Sequence, residues 1–548
     1  MSAIMLRGGH IYSPVDPFAT ALLMIDGVIR WIGSDTGADT HRDTVDDVWE
    51  LQGALVTPGF VDAHVHATAT GLLSTGLDLS TCRSADDLLA LLSRAVPADG
   101  VVWGHGWDET TWSDNRLPSR EAIDAVAGSH VVYLSRIDVH SALVSSALVD
   151  QMSGSTDVGQ EPTNGPVVSW PGFDPVGPLT RSAHAIARSV AFASITDAQR
   201  EVAQRWTLSQ AARCGIVSMH EMAGPSISSS QDLRALNDLA TSASGVEVVA
   251  YWGELNGIET AQSLGARGCA GDLFVDGSLG SHTAALRAPY SDAAGETGTL
   301  YLTAEQIAEH IVLCTQAGLQ AGFHVIGDAA LDTVMAGFVE AEKRCGITEL
   351  RQCRHRLEHA EMLDAHQINA MATWGVAASM QPAFDAAWGG EHQMYAQRLG
   401  ATRAMSLNPF AALSQAGVCV AFGSDAPVTA LDPWGSVRAA AFHHNAEQRV
   451  SVRAAFAAHT RGGRRSAHQE HLQPGVLRED VPATLAIWES TDLVVQAPDT
   501  RIAAWSTDDR SGTPGLPDLS LDRDLPECLV TMRDGAVIHA TGAIQVST

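Results

Sequence analysis

The sequence predicts an α/β protein: a TIM-type (β/α)8 barrel with a small composite β-sandwich domain built from both termini and a large insertion after the first barrel strand. Three observations predict it. Between Val56 and about Arg465, eight apolar, β-rich segments end in polar residues and alternate with helical segments, the pattern of parallel βα units. Short β-like runs with turn signals gather at both ends of the chain. More than a hundred residues, 68–204, separate the first of the eight segments from the second.

At the N-terminus, runs at 3–6, 21–24 and 28–32 are joined by turns, and Asp26-Gly27 between two of them is a hairpin signal. The C-terminus repeats the style at 485–488, 492–495 and 528–539, where Asp534-Gly535 is the turn. Residues 1–55 and 466–548 therefore read as one composite β domain, with the Pro- and Asp-rich stretch 506–526 as a surface loop. The eight expected barrel strands are 60–66, 215–220, 246–252, 272–276, 321–325, 355–359, 376–381 and 418–425, within a domain spanning 56–465. Insertions the size of 68–204 are usually lids or substrate-binding subdomains.

Bulk properties exclude several functions. With 63 acidic against 34 basic residues and a formal charge of −29, a surface that tracks phosphates is excluded, and with it nucleic acid as partner. The eight cysteines form no CxxC pair, so they read as free thiols rather than disulfides or a thiolate zinc site. There is no signal-like N-terminus and no uninterrupted apolar run of about 18 residues, so no membrane partner and a cytoplasmic location are expected. Lys343 is the chain's only lysine.

The first strand ends in His64 and His66. Alternate strand residues share a face, so both imidazoles can chelate one ion. Read alone, the pair better suits a half-buried strand with two satisfied histidines. Later strand ends supply His324, His359 and Asp425, and barrel chemistry sits at the C-terminal ends of strands. Imidazoles with a carboxylate are the ligand set of a catalytic divalent metal, zinc being the commonest. Such an ion activates water and polarises a carbonyl. Asp425 is placed to accept the water's proton and return it to a leaving amine. His359 would hold the carbonyl oxygen or bind a second ion.

These residues, with Gly106-Trp107-Asp108, the run from Ile137 to Leu143, Asp276-Gly277-Ser278-Leu279-Gly280-Ser281-His282-Thr283-Ala284, His324-Val325-Ile326-Gly327-Asp328, Glu358-His359-Ala360 and Gly423-Ser424-Asp425-Ala426-Pro427-Val428, resemble the amidohydrolase superfamily. The likeness is to the YtcJ-like amidohydrolases and, within them, the N-substituted formamide deformylases. It implies hydrolysis of a C–N bond in a small-molecule amide, with release of formate and a primary amine, by a homodimer. It also implies substrate contacts from Trp107, Asp138, His140, His220, Asp276 and His282. Two departures stand out. Many relatives carry a carboxylated lysine bridging two ions where this chain has Asp272, so one ion held by His64, His66, His324 and Asp425 is expected; the alternative is a two-ion site in which Asp272 or Asp276 supplies a substitute bridge. His282 stands where many relatives have arginine.

Bland alternatives accompany these assignments. His220 could be packed in the core, Asp138 and His140 could brace a loop, and Trp107, Trp112 and Trp388 could be packing residues, although 13 tryptophans against six tyrosines would suit an aromatic N-substituent. His443 and His444 read as solvated helix residues. Another amide, such as an N-acyl amino acid, would need a cation for its carboxylate, with Arg136 and Arg287 as candidates. A non-catalytic metal-binding barrel is the reading from a different class.

Overall fold

The computed structural model describes residues 2–96, 99–114, 116–137, 141–154, 170–242, 245–489, 492–496, 505–506 and 514–546. It divides into two compact units, one comprising Met1–His66, Leu208–Gly224 and Asn237–Thr548, the other Ala67–Thr207 and Pro225–Leu236.

In the first unit both termini build β structure together. One sheet runs Val28–Gly33, Ala21–Ile25, Ala3–Arg7, Asp47–Glu50; another runs His10–Ile11, Leu55–Pro58, Leu485–Glu489, Glu527–Arg533, Ala536–Ala540. In the second sheet the C-terminal strand Leu485–Glu489 lies antiparallel between Leu55–Pro58 and Glu527–Arg533. Leu6, Leu22, Trp49, Val56, Ile487 and Val530 bury their side chains in one apolar core drawn from both sheets.

The same unit holds two wholly parallel sheets. Three strands run Glu247–Trp252, Ile216–Ala223, Phe60–Val65, and five run Gly268–Cys269, Gln320–Val325, Arg356–His359, Ala377–Met380, Cys419–Phe422. Backbone bonds tie their edges. Arg267 N–H donates to Ala250 O at 2.7 Å, Asp425 N–H to His64 O at 2.8 Å and His66 N–H to Ala426 O at 2.9 Å. Helices between these strands carry their own start signals: Thr303 caps Ala304–Ala317 and Asp364 caps Ala365–Trp374, each in a capping box with a glutamine.

The fourth strand departs from expectation. Ordered pairing covers only Gly268–Cys269, opposite Gln320 and Ala321, and pairing resumes at one bridge between Phe274 and His324. This leaves two more residues on that strand than on its neighbour, a bulge. Gly271, at φ +93°, makes the break, and a Cβ there would lie 2.8 Å from Met222 Sδ. Asp272 rides on the bulge. A second correction concerns His443: the helix Pro433–Ala441 stops short of it, and its ring is buried 3.4 Å from Asp385 and edge-on to Phe410, while His444 is the exposed one.

The second unit is an α/β layer. Its sheet runs Leu179–Thr180, Ser141–Val144, Val131–Arg136, Val101–Trp107, Leu77–Asp78. Strand alternation sorts its side chains into two cores: Val101, Trp103, Val131 and Tyr133 on one face, Val102, Val132 and Leu134 on the other. Among the described residues no helix is long and apolar enough to cross a membrane.

Candidate metal centre

Four histidines and two aspartates meet at the C-terminal ends of the parallel strands. His64 and His66 project from the end of Phe60–Val65 with ring centroids 5.2 Å apart, as alternation on one strand face requires. His324 comes from Gln320–Val325 and His359 from Arg356–His359, their centroids 4.5 Å apart. Asp425 follows Cys419–Phe422, and Asp272 enters from the bulge. On a regular strand His359 would face away from its neighbour Glu358. Its φ of +67° breaks the alternation, so both side chains reach the cluster, and Asp425 is likewise left-handed at +54°. Left-handed non-glycine residues are strained and gather at functional sites.

Donor atoms crowd the centre. His66 Nε2 lies 3.1 Å from both Asp272 Oδ2 and Asp425 Oδ1, His64 Nε2 3.5 Å from Asp272 Oδ1 and from Asp425 Oδ1, His324 Nδ1 3.5 Å and His359 Nε2 3.8 Å from Asp272 Oδ1. His64, Asp272 and His359 form one group of mutually close ligand atoms, and His64, His66 and Asp425 another. Ligands about 2.0–2.2 Å from a tetrahedral zinc stand about 3.3–3.6 Å from one another, so this spacing suits a cation.

The opposite ring nitrogens are each engaged. His64 Nδ1–H donates to Glu358 Oε2 at 2.9 Å, His66 Nδ1–H to Met222 O at 3.1 Å, His359 Nδ1–H to Gln381 Oε1 at 2.8 Å and His324 Nε2–H to Gly277 O at 3.3 Å. With one nitrogen committed as donor, the other presents a lone pair to the centre. His64 Nε2, His324 Nδ1, Asp272 Oδ1 and Asp425 Oδ1 are buried and without a hydrogen-bond partner there, which is costly unless something positive sits between them. The residues therefore fit a divalent metal. Electrostatics agrees. Burial raises the Asp272 carboxyl, but His64 and bonds from His324 and His359 outweigh it and hold it well below its usual range. Burial opposes charge on His66, and the two aspartates prevail, lifting it to about 9.

Beneath the cluster, Arg356 and Glu358 are fully buried. Arg356 Nε donates to Glu358 Oε1 at 2.5 Å and Nη2 to Oε2 at 3.0 Å; Nη2 also reaches Ala63 O at 2.8 Å, and Tyr251 lies under the guanidinium at 4.5 Å. Arg356 Nη1 donates to His220 Nδ1 at 3.2 Å. Burial and the guanidinium keep His220 neutral. Glu358 stands in the motif Glu358-His359-Ala360 with no role assigned by pattern, and Arg356 is in no motif, although an arginine and a glutamate two apart on a strand that ends in histidine are a legible signal.

The remaining candidates are placed as follows. Asp276 is buried with its oxygens accepting from the N–H groups of Ala285, Ile326 and Gly327, so it pins backbone and has no exposed oxygen for a substrate. His282 belongs to neither ligand group and is half-buried, with Nε2 2.9 Å from Asp292. Trp107 is buried in the second unit's core and donates to Leu134 O, and Trp112 shares that core. Trp388 packs against Phe384, whose ring stacks 6.0 Å from His359. Asp138 and His140 lie outside the described residues. Arg287 is held by Asp332 and Asp364, and Arg136 by Asp108 and Glu109.

Comparison with known proteins adds to this geometry. Residues 47–539 match the model of the amidohydrolase family. The chain is 27% identical over 535 residues to Protein LONG AFTER FAR-RED 3 of Arabidopsis thaliana, covering 90% of this chain and 89% of that one. It is 26% identical over 465 residues to the protein of Bacillus subtilis (strain 168) that bears the name "Putative amidohydrolase YtcJ", covering 81% and 84%. Identity to the N-substituted formamide deformylase of Arthrobacter pascens is 22% over 434 residues, covering 76% and 78%. The crystal structure of an uncharacterised metal-dependent hydrolase from Pyrococcus furiosus superposes with a TM-score of 0.73 at 25% identity, over 88% of this chain and 98% of that one. A centre built for a divalent cation and a family match spanning nearly the whole sequence converge: the chain belongs to the amidohydrolase family.

Proposed function

We propose that this protein is a zinc-dependent hydrolase of C–N bonds in small amides, acting on an N-substituted formamide and water to give a primary amine and formate. The observation that carries the reading is the set of four histidines, each donating one ring N–H to a fixed oxygen while aiming the other nitrogen at Asp272, and in His64 and His66 at Asp425 as well. His64, His66, His324 and Asp425 would hold the ion, with Asp272 in the same shell. Bound there, the ion would activate water and polarise the amide carbonyl. Asp425 would take the attacking water's proton and pass it to the amine nitrogen as the C–N bond breaks. His359, braced by Gln381 and Phe384, would complete a second ion position through the lone pair of Nε2; holding the carbonyl oxygen instead would require a proton on that nitrogen. The two ligand groups, which share His64, support that second position; Asp272, within 3.1–3.8 Å of a nitrogen of each histidine, would be the bridge where relatives use a modified lysine.

The formamide reading draws on the distant likeness to a formamide deformylase and on the aromatic pair Phe384 and Trp388 beside His359. An N-acyl amino acid is less well served, because Arg136 and Arg287 already face carboxylates. As part of the same proposal, the two parallel sheets form one closed eight-strand barrel, residues 68–204 serve as a substrate-side subdomain, and the protein works as a cytoplasmic homodimer.

The test measures metal per chain by elemental analysis and formate release from N-benzylformamide on one preparation. Bound zinc with formate that vanishes on chelation supports the proposal. Bound zinc without formate moves the search to other amides, and a chain free of metal after zinc reconstitution sinks it.

A further inference from the structure

The parallel strand that ends in His359 also carries a buried arginine and a buried glutamate, where apolar side chains would pack at less expense of desolvation. As a stabilising tie the pair does little by itself, since Arg356 and Glu358 sit two apart on one strand and link nothing distant to each other. What they do reach is the first strand. Glu358 Oε2 accepts the Nδ1–H of His64 at 2.9 Å, and Arg356 Nη2 donates to the carbonyl of Ala63, the residue just before His64, at 2.8 Å. Both oxygens of Glu358 accept from the guanidinium, so the carboxylate cannot rotate away. His220 Nδ1 and the Tyr251 ring fix the guanidinium from its other sides.

We propose that Glu358, clamped by Arg356, is a positioning residue: it keeps the proton of His64 on Nδ1 and so holds Nε2 as a lone pair aimed at the metal position. Neutral imidazole shares its proton between two nitrogens, and a carboxylate, which only accepts, removes the choice. Of the four histidine supports, this is the only one that carries a charge; the others are the oxygens of Met222, Gly277 and Gln381. His64 is also the histidine common to both ligand groups. The clamp therefore acts on the ligand that any arrangement of ions at this centre must use.

The inference rests on the metal-hydrolase reading, and the experiment separates the two. Cobalt(II) binding to the full-length metal-free chain is titrated by its visible absorption, alongside thermal melting of the metal-free form. Wild type should bind with a ligand-field spectrum. Glu358→Gln keeps the shape but loses the charge, and should bind about 10–100-fold more weakly with shifted bands. Arg356→Lys keeps the charge without the fork and should fall between. A purely structural role would lower the melting temperature and leave affinity and bands unchanged, and that result overturns the inference. If Glu358→Gln does not fold because Arg356 is left unpaired, the double variant Arg356→Gln with Glu358→Gln removes both charges together. It should show the same weakening, and wild-type affinity there also overturns the inference. A wild-type chain that takes up no cobalt would instead sink the metal reading itself.

Discussion

At the residue scale the decisive side chain is Asp272. Its carboxylate lies within 3.1–3.8 Å of a nitrogen from each of the four histidines, a reach that Asp425 does not match. Asp272→Asn preserves size and removes the charge that makes the cluster attract a cation. The expected outcome is metal content and hydrolysis both reduced by at least a hundredfold, as in Asp425→Asn. An Asp272→Asn protein that keeps wild-type zinc would restore the simpler set of His64, His66, His324 and Asp425. By contrast, His282→Arg should leave metal content unchanged, because His282 contacts Asp292 and none of the cluster.

At the element scale the site depends on how closely the ends of two strands approach. Gly423 follows Cys419–Phe422 and packs against the first strand so tightly that a Cβ would stand 2.5 Å from His64 N and 2.9 Å from Asp62 Oδ1. Asp62 Oδ1 accepts from Ser424 N–H at 2.9 Å and from His64 N–H at 3.2 Å, stitching the two ends together. Gly423→Ala must push the strands apart between His64 and Asp425. Overpacking of this kind costs about 1–3 kcal/mol. The prediction is a lowered melting temperature together with lost metal affinity, whereas alanine at Gly417 or Gly265, where a Cβ would meet nothing within 4 Å, should affect stability only through the left-handed backbone.

At the scale of the whole molecule, histidines serve two purposes. Those at the strand C-terminal ends face carboxylates. Three others are buried and neutral and brace backbone: His310 Nε2–H donates to Cys269 O, His459 Nδ1–H to Val61 O, and His355 Nδ1 accepts from Ala321 N–H. Burial lowers His310 and His459 to about 4 and His355 to about 3. Between about pH 6.5 and these values the unfolded chain holds protons that the folded chain refuses, so their stabilisation is complete above 6.5 and disappears as pH falls toward 3–4. Relative to pH below its folded value, each is worth on the order of 3–5 kcal/mol at neutral pH. Circular dichroism should show the metal-free protein losing stability progressively below pH 6.5, and flat stability from 6.5 down to 4 would contradict the assignment.

The sequence by itself determined the family, the parallel βα core, the participation of both termini in β structure, and five residues of the centre. Those features are local: strand alternation makes His64 and His66 a pair, and short motifs announce His324, His359 and Asp425 at strand ends. Only the tertiary structure decided what depends on contacts between distant segments. Asp272 read as one of two candidate bridges on an ordinary strand, and the break at Gly271 turned it toward four histidines. Asp276 looked equally available, and three backbone N–H groups from other turns consumed it. Glu358 and Arg356 were visible as letters, yet their role appears only when the sixth parallel strand stands across from the first. A strand pattern specifies which face a side chain takes, and the neighbour it meets there is set by the fold.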